Sequence, residues 1–254
     1  MDLEGKTVLV IGAGLLGGPA AKALALSGGS VVVADIDHDA ASRVAGEISD
    51  AGGKALPVVI DLSDEKSVES GVRDAAAFTG RLDGLFVNSY DPVASSQDRN
   101  IVDIDLAAWR RSLDVNLTGY LLAMRNALPF LLDAGGGGIV LTSSSDSFDS
   151  PPTRVAYPVT KYALHALCRH VASNWGRNGI RCNVIVPGLV PRLLPDGSFP
   201  PERVNFYARY QAETPSTRLG QPRDIAAMVS FLLSNEAEWI NGQIIGVDGG
   251  LVLR

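Results

Sequence analysis

Short apolar runs rich in β-branched residues alternate along the chain with longer segments of helical periodicity. The runs are continuously apolar, which predicts strands that are buried on both faces. Alternation of such strands with helices is typical of βαβ units. We therefore predict a single α/β domain over residues 1–254, a doubly wound parallel sheet of about seven strands with helices on both faces. The clearest runs are 7–11, 30–34, 56–60, 85–87, 139–141 and 182–186.

Composition and charge exclude some classes of protein. Of the 254 residues, 46% are hydrophobic and 20% are charged, as in a soluble globular protein with a substantial core. The net charge of -6 and the lack of a basic run argue against a nucleic-acid partner. The apolar stretch 8–26 is interrupted by glycines, Pro19 and Lys22, which predicts a strand, a loop and a helix rather than a membrane segment.

The sequence contains 2 cysteines, Cys168 and Cys182. Neither has neighbours at the spacing of a metal site or of a disulfide framework. We predict reduced core thiols, no metal site and a cytoplasmic protein, because free thiols persist in reducing compartments.

A glycine-rich loop follows the first predicted strand. Gly12, Gly14, Gly17 and Gly18 open a helix whose early Pro19 suits a first turn. The pattern G-x-G-x-x-G lets the backbone approach a pyrophosphate and aims helix N–H groups at it. In this position after a strand, the loop predicts a dinucleotide site in a Rossmann-like fold.

Carboxylates follow the second and third predicted strands. Asp35 lies about 20 residues beyond the glycines, where a carboxylate accepts hydrogen bonds from the adenosine ribose and repels a 2′-phosphate. We therefore predict NAD rather than NADP, with Asp37 free to cap the next helix. Asp61, followed by Leu62, either lies beside the adenine amino group or caps the following helix, a role for which Ser63 is the alternative.

Tyr157 and Lys161 are spaced so that they share one face of a helix. A nearby cation stabilises phenolate, so we expect the pKa of Tyr157 to fall from its usual value of about 10 toward the working pH. Such a phenol can exchange a proton with an alcohol or ketone oxygen. By spacing alone, an ordinary pair on a helix surface is the favoured interpretation.

Together with the glycine loop, the Y-x-x-x-K pattern resembles the short-chain dehydrogenase/reductase family, and the match covers nearly the whole chain. Asp114-Val115-Asn116 resembles the family's helix with the active-site Asn. Among three consecutive serines, Ser144 has the family's spacing to Tyr157. Further matching segments are 3–6, 139–144, 179–183, 187–188, 218–220 and 247–250.

The resemblance implies an oxidoreductase that transfers a hydride between NAD(H) and a secondary alcohol or ketone. Tyr157 would exchange the proton, Ser144 would hydrogen-bond the reacting oxygen, and Lys161 would lower the Tyr pKa and hold the nicotinamide ribose. Asn116 would position a water that relays protons to Lys161. The cofactor contacts implied later in the chain are Asn88, Pro187, Gly188 and Val190.

A Pro-rich stretch, 189–215, occupies the family's usual position for a substrate lid. Its aromatic residues predict an apolar or cyclic substrate, although such residues also serve to pack a lid against the body. The helical stretches 106–132 and 158–175 are apolar over more than one face, and the resemblance implies a homotetramer. His165 and His170 are poorly spaced for a shared metal and are interpreted as helix-surface or interface residues.

Several positions depart from the family pattern. Leu16 replaces a loop glycine, and Tyr90 and Asp91 are bulkier than the family's Ala and Gly beside the cofactor, which predicts a narrower site. Arg192 stands where a Thr often meets the carboxamide, and interpretations as a solvated side chain or as a partner for an acidic substrate group remain open. The alternatives are an NADPH-dependent ketoreductase of the 3-oxoacyl-thioester type and a non-catalytic NAD-binding sensor or scaffold.

Overall fold

A computed structural model describes residues 1–253. It contains one sheet of seven parallel strands in the order β3-β2-β1-β4-β5-β6-β7. The strands are β1 (Thr7–Ile11), β2 (Ser30–Asp35), β3 (Lys54–Val59), β4 (Gly84–Val87), β5 (Gly137–Thr142), β6 (Ile180–Pro187) and β7 (Ile244–Val247).

Helices cover both faces of the sheet, and alternate strand residues feed two separate cores. One core joins the strands to the third, sixth and eighth helices, and the other joins them to the first, second and tenth. The predicted doubly wound fold is thus confirmed. The helices are α1 (Gly17–Leu26), α2 (His38–Asp50), α3 (Glu65–Thr79), α4 (Pro92–Gln97), α5 (Leu106–Leu113), α6 (Gly119–Asp133), α7 (Asp146–Asp149), α8 (Ala156–Trp175), α9 (Val204–Glu213) and α10 (Pro222–Leu233).

The strand order reverses between β1 and β4, and this position determines where a ligand can bind. The chain winds outward from β1 to β3 and then returns to β4 on the other side of β1. The loops that leave two adjacent strands diverge here, which opens a crevice at their carboxyl ends. Asn88, directly after β4, donates its backbone N–H to the carbonyl of Ile11 at 2.9 Å. This bond extends the pairing of β1 with β4 up to the point where the two loops separate.

The predicted long helix over 106–132 is interrupted. Between α5 and α6, Asp114–Thr118 form a π-helical turn, in which the backbone hydrogen bond spans one residue more than in an α-helix. Asn116 lies in the middle of this turn and is buried. A hydrophobic pattern with helical periodicity does not distinguish one π turn from a continuous α-helix.

Of the two helix caps predicted from the sequence, one is confirmed and one is wrong. Asp37 caps α2, accepting hydrogen bonds from Asp39 and Ala40, as predicted. The proposed cap of α3 is wrong, because Asp64 caps that helix. Asp61 instead accepts the backbone N–H of the second residue after it at 2.8 Å, which closes a local turn.

Both cysteines are buried and free, as predicted. Across residues 1–253, none of the helices has the length and apolar character needed to cross a membrane.

Candidate active site

A cavity of about 790 Å³ opens at the carboxyl ends of the strands, where the sheet order reverses. Three predicted site residues, Gly17, Gly18 and Asn116, lie behind its wall. The other predicted site residues line it: Gly12, Gly14, Asp35, Asp61, Leu62, Asn88, Ser144, Tyr157, Lys161, Pro187, Gly188 and Val190.

The glycine loop forms one end of the cavity. Gly12 has a φ of +105°, and a Cβ on Gly17 would lie 1.6 Å from the Gly12 carbonyl oxygen, so no side chain fits there. A Cβ on Gly18 would lie 3.0 Å from the carbonyl oxygen of Ala13. Gly14 has nothing within 4 Å of that position. Thus Gly17 and Gly18 allow the helix to approach the loop, while Gly14 keeps backbone accessible to a ligand.

Asp35 holds this loop as well as lining the cavity. Its Oδ2 accepts the backbone N–H of Ala13 at 2.7 Å, and its Oδ1 accepts that of Asp37 at 3.1 Å. The carboxylate is therefore fixed at the edge of the cavity, next to the loop.

The site residues fit a dinucleotide. The buried Oδ1 of Asn88, Nδ2 of Asn116 and Oγ1 of Thr142 have no hydrogen-bond partner within residues 1–253. Asn88 and Thr142 both line the cavity. Orphaned polar atoms of this kind normally meet a ligand or water, and here they occur together with an accessible glycine backbone and a carboxylate at the edge of the cavity.

The other end of the cavity is built on the first turn of α8. Asp98 follows α4 and is buried, and its carboxylate accepts the backbone N–H groups of Val155, Ala156 and Tyr157 at 2.8 to 3.0 Å. This is a helix N-cap supplied from a distant part of the chain. No local sequence signal marks Asp98, because the helix it caps begins 58 residues later.

The three consecutive serines have different partners. Ser144 faces the Tyr157 side chain, and its Oγ accepts the backbone N–H of Asp146 at 3.3 Å. Ser145 Oγ lies 3.4 Å from the hydroxyl of Tyr210 on α9. Ser143 Oγ donates to the backbone carbonyl of Lys161 at 2.9 Å. Ser143 and Ser144 both line the cavity, but the Ser143 hydroxyl is directed to the Lys161 carbonyl, which leaves Ser144 as the serine beside the phenol of Tyr157.

His165 supports this region from behind. It is buried, and its Nε2 lies 3.0 Å from Ser143 Oγ, so the expectation of a surface or interface position is wrong for this residue. His165 follows Lys161 by one helical turn, which turns it toward β5 rather than outward. His170 is exposed, in keeping with the expectation.

Lys161 is fully buried under the cavity floor. Its Nζ donates to the carbonyl of Thr142 at 2.9 Å and to the hydroxyl of Tyr120 at 3.0 Å, with a longer contact of 3.5 Å to the carbonyl of Ser89. The sequence analysis did not identify Tyr120. A lone tyrosine in an aliphatic stretch shortly after Asn116 was the available signal.

Burial controls the pKa values of the central pair. It raises the pKa of Tyr157 to about 12, with the neighbouring Ser144 opposing the rise, and it lowers the pKa of Lys161 to about 7. The expected lowering of the Tyr157 pKa is wrong for the protein alone. Both groups lose hydration, and Nζ lies 5.8 Å from the centre of the phenol ring, directed toward carbonyls instead.

Comparisons with known proteins agree with this geometry. A family model described as Enoyl-(Acyl carrier protein) reductase matches residues 14–252. The chain is 36% identical over 252 residues to a "Probable short-chain type dehydrogenase/reductase" of Bradyrhizobium diazoefficiens, covering 98% of this chain and 88% of that one. The chain belongs to the short-chain dehydrogenase/reductase family.

Two further relatives have names that describe a reaction. Cis-4-hydroxycyclohexanecarboxylate dehydrogenase of Sinomonas cyclohexanicum is 35% identical over 237 residues, covering 92% of this chain and 91% of that protein. A structure of 7α-hydroxysteroid dehydrogenase with NADH and 7-oxo glycochenodeoxycholic acid superimposes with a TM-score of 0.87 at 31% identity, covering 98% and 95% of the two chains. This short-chain dehydrogenase/reductase is an oxidoreductase that uses a nicotinamide cofactor and acts on CH–OH groups.

The side chain of Asp91 stabilises the loop that follows β4. The Asp91 carboxylate is buried, caps α4 through Ala94 and pairs with Arg111 at 2.6 Å. Burial alone would raise the pKa of Asp91, but the hydrogen bond from Ala94 and the Arg111 guanidinium hold it below its usual value. Its backbone N–H donates to Asn116 Oδ1 at 3.0 Å, which ties the loop to the π-helical turn.

Tyr90, by contrast, lies beside the reacting groups. Its ring meets the Tyr157 ring edge-on at a centroid distance of 6.0 Å, and half of the side chain is exposed. The Arg154 guanidinium lies 5.2 Å from the Tyr157 ring and pairs with Asp146. The phenol therefore lies between an aromatic edge and a cation.

The predicted lid segment packs over this end. Tyr207 on α9 is buried, lines the cavity and has its ring centre 4.9 Å from that of Phe199. The aromatic residues of the segment therefore pack against each other, and Tyr207 also faces the cavity. Arg192 also lines the cavity and is exposed. Within residues 1–253 the Arg192 side chain has no hydrogen bond or ion pair, which leaves its guanidinium free to meet a ligand.

Proposed function

We propose that this protein is an NAD(H)-dependent dehydrogenase of cyclic secondary alcohols, with Asn116, Ser144, Tyr157 and Lys161 as its reaction groups. The observation that carries the proposal is the cavity itself, which brings Ser144, Tyr157 and Lys161 together with the glycine loop. Each of these four residues has one role in the reaction.

The proton moves between the substrate oxygen and Tyr157. Ser144 Oγ hydrogen-bonds the substrate oxygen in both directions of the reaction. In alcohol oxidation the Tyr157 phenolate takes the proton of the substrate hydroxyl, and in ketone reduction the Tyr157 phenol donates a proton to the substrate oxygen. Bound nicotinamide supplies the acceptor or the donor of the hydride. A protonated Lys161 stabilises the phenolate and so opposes the raised pKa of Tyr157. The unpartnered Nδ2 of Asn116 suits a water that exchanges protons with Lys161.

The preference for NAD over NADP rests on Asp35. Its carboxylate is fixed at the cavity edge by the N–H of Ala13, and it offers acceptors to ribose hydroxyls. A 2′-phosphate at this position would meet a like charge. Asp61 and Leu62 follow as the wall beside the adenine.

The substrate class rests on the relatives and on the cavity. Two of the relatives, cis-4-hydroxycyclohexanecarboxylate dehydrogenase and 7α-hydroxysteroid dehydrogenase, are named for ring alcohols. Tyr90, Val93, Leu189 and Tyr207 give the substrate end an apolar lining that suits a ring. Segment 189–215 acts as the lid over that ring, within one domain of residues 1–254.

The assembly we propose is a homotetramer that works in the cytoplasm. Leu121 on α6 and Val159 and Tyr162 on α8 expose between 43% and 56% of their surface, as apolar residues awaiting another subunit would. The two free thiols suit a reducing compartment. Light scattering during gel filtration measures the assembly, and a monomeric mass would contradict it.

Steady-state kinetics with both cofactors tests the proposed function. We expect turnover of cyclic secondary alcohols, with and without a carboxylate group, to be faster with NAD than with NADP and faster than that of open-chain polyols. Tyr157→Phe should abolish turnover while NADH binding, followed by fluorescence, persists. Tyr162→Phe, the same change on the outer face of the same helix, is the matched control and should retain full activity.

The same measurements separate the alternatives. A preference for NADP in the wild type would contradict the role of Asp35 and favour a ketoreductase. NAD binding without turnover on the whole panel would contradict an enzyme and favour a sensor or scaffold.

A further inference from the structure

Tyr120 is a buried hydroxyl in an apolar layer. It follows the first residue of α6, has no exposed surface and is surrounded by the core that joins β4 and β5 to α6 and α8. A tyrosine in such a position normally has a partner for its hydroxyl. Here the hydroxyl donates to the carbonyl of Ser89 at 2.8 Å and accepts from Lys161 Nζ at 3.0 Å.

This hydroxyl is the side-chain partner of Lys161. The other contacts of Nζ are the backbone carbonyls of Thr142 at 2.9 Å and Ser89 at 3.5 Å. The titratable groups that face Nζ within residues 1–253 are Tyr120 from α6 and Tyr157 from its own helix, with ring centres 4.6 and 5.8 Å away. Strands β4 and β5 contribute carbonyls alone, and no carboxylate contributes to the pKa shift of Lys161.

The direction of the hydrogen bonds decides what Tyr120 does to Lys161. Because the hydroxyl proton is committed to Ser89, the Tyr120 oxygen presents a lone pair to Nζ. An acceptor in this position stabilises the ammonium form over the neutral amine. It therefore opposes burial, which by itself lowers the pKa of Lys161 to about 7.

We propose that Tyr120 is a positioning residue for the reaction: its hydroxyl holds the Lys161 side chain beneath Tyr157 and favours the protonated form of its amine. This inference rests on the proposed function, in which the charge of Lys161 stabilises the Tyr157 phenolate. Tyr120 itself does not touch the reacting atoms. Its effect reaches them through Lys161.

The first test measures Lys161 directly, without cofactor or substrate. The protein is labelled with [13Cε]lysine, its Lys161 signal is assigned with Lys161→Met, and the signal is titrated by NMR. In Tyr120→Phe, we expect the Lys161 pKa to fall by about one unit, the scale of a lost hydrogen bond to a charged group. Tyr162→Phe, the matched control, should leave it unchanged.

The second test follows the pH profile of kcat. The alkaline limb, which reports loss of the Lys161 proton, should move down by about one unit in Tyr120→Phe, with a roughly tenfold lower kcat on that limb. The KM for the alcohol should change little. A merely structural role would lower the unfolding temperature but leave the pH profile in place.

The outcomes separate the two proposals. An unchanged Lys161 pKa and pH profile in folded Tyr120→Phe would overturn the inference. A lowered Lys161 pKa in a protein that turns over no alcohol would support the contact between the two residues and contradict the proposed function. If circular dichroism shows that Tyr120→Phe does not fold, Tyr120→Met, which also lacks the hydroxyl, takes its place in both tests.

Discussion

The two ends of the cavity are assembled from different lengths of chain. The glycine-loop end comes from one continuous strand, loop, helix and strand, residues 7–35, and is held by backbone contacts and the Asp35 carboxylate. The Tyr157 end gathers polar groups from remote segments, such as the Asp98 carboxylate, which caps the first turn of α8, and the backbone carbonyl of Ser89, which lies 3.5 Å from Lys161 Nζ. The first end depends on shape within a short motif, and the second depends on a few polar contacts between segments far apart in sequence.

The largest effect should come from breaking the shape of the glycine loop. A methyl group on Gly17 collides with the Gly12 carbonyl, so Gly17→Ala should lower the free energy of unfolding by about 3 kcal/mol. Gly14→Ala, whose methyl meets nothing, should change it by less than about 0.5 kcal/mol and weaken NADH binding instead. Urea unfolding and NADH titration measure both. Equal destabilisation by the two changes would contradict a loop governed by shape.

A smaller effect should follow from breaking a remote contact at the other end. Asp98→Ala leaves three N–H groups without their carboxylate and should cost about 2 kcal/mol of unfolding free energy, together with a lower kcat. Asp37→Ala removes the exposed cap of α2, should cost about 1 kcal/mol and should spare kcat. If Asp98→Ala kept the wild-type kcat, the carboxylate would stabilise the helix without positioning Tyr157.

The Tyr157 end should also make stability depend on pH. Lys161 has a pKa of about 7 in the folded protein, against 10.5 for an ordinary lysine, so between these values the unfolded chain binds the extra proton. The free energy of unfolding should therefore rise with pH in this window, by up to about 1.4 kcal/mol per pH unit. Lys161→Met cannot titrate and should flatten the rise. Identical slopes from pH 7 to pH 10 in urea titrations of the two proteins would mean that Lys161 stays charged when folded.

The smallest effect should come from the proposed lid segment. The hydrogen bond between Tyr210 and Ser145 is long, at 3.4 Å, and joins two neutral groups. Tyr210→Phe should therefore raise the KM for the alcohol by less than about threefold and leave kcat unchanged. A larger rise would indicate that this contact closes the lid.

The contrast between a short continuous motif and contacts from remote segments also explains what the sequence could predict. The sheet, the glycine loop, Asp35 and the Asp37 cap depend on neighbouring residues, so their patterns are legible along the chain. The exact residue at which a helix begins is less predictable. A cap of α3 was expected at Asp61 or Ser63, and the helix begins slightly later, after Asp64.

The Tyr157 end is legible only in part. Resemblance to the family identified Ser144, Tyr157 and Lys161 as a group, but not Asp98 or Tyr120, whose contacts with α8 span up to 59 and 41 residues. The predicted direction of the Tyr157 pKa shift was also wrong, because residue spacing predicts that two groups are near each other but not how deeply each one is buried. Solvation depends on the whole fold.

The π-helical turn at Asp114–Thr118 has a consequence for how this part of the chain tolerates insertions and deletions. An α-helix turns by about 100° per residue, whereas a π turn holds one residue more within a single turn, so the additional residue is absorbed locally and the flanking helices keep their register. Loss of one residue within Asp114–Thr118 would therefore restore a regular α-helix with α6 in place, but it would shift Asn116, whose Oδ1 accepts the backbone N–H of Asp91. Loss of one residue inside α6, where no π turn absorbs the change, would instead rotate the residues that follow by about 100°.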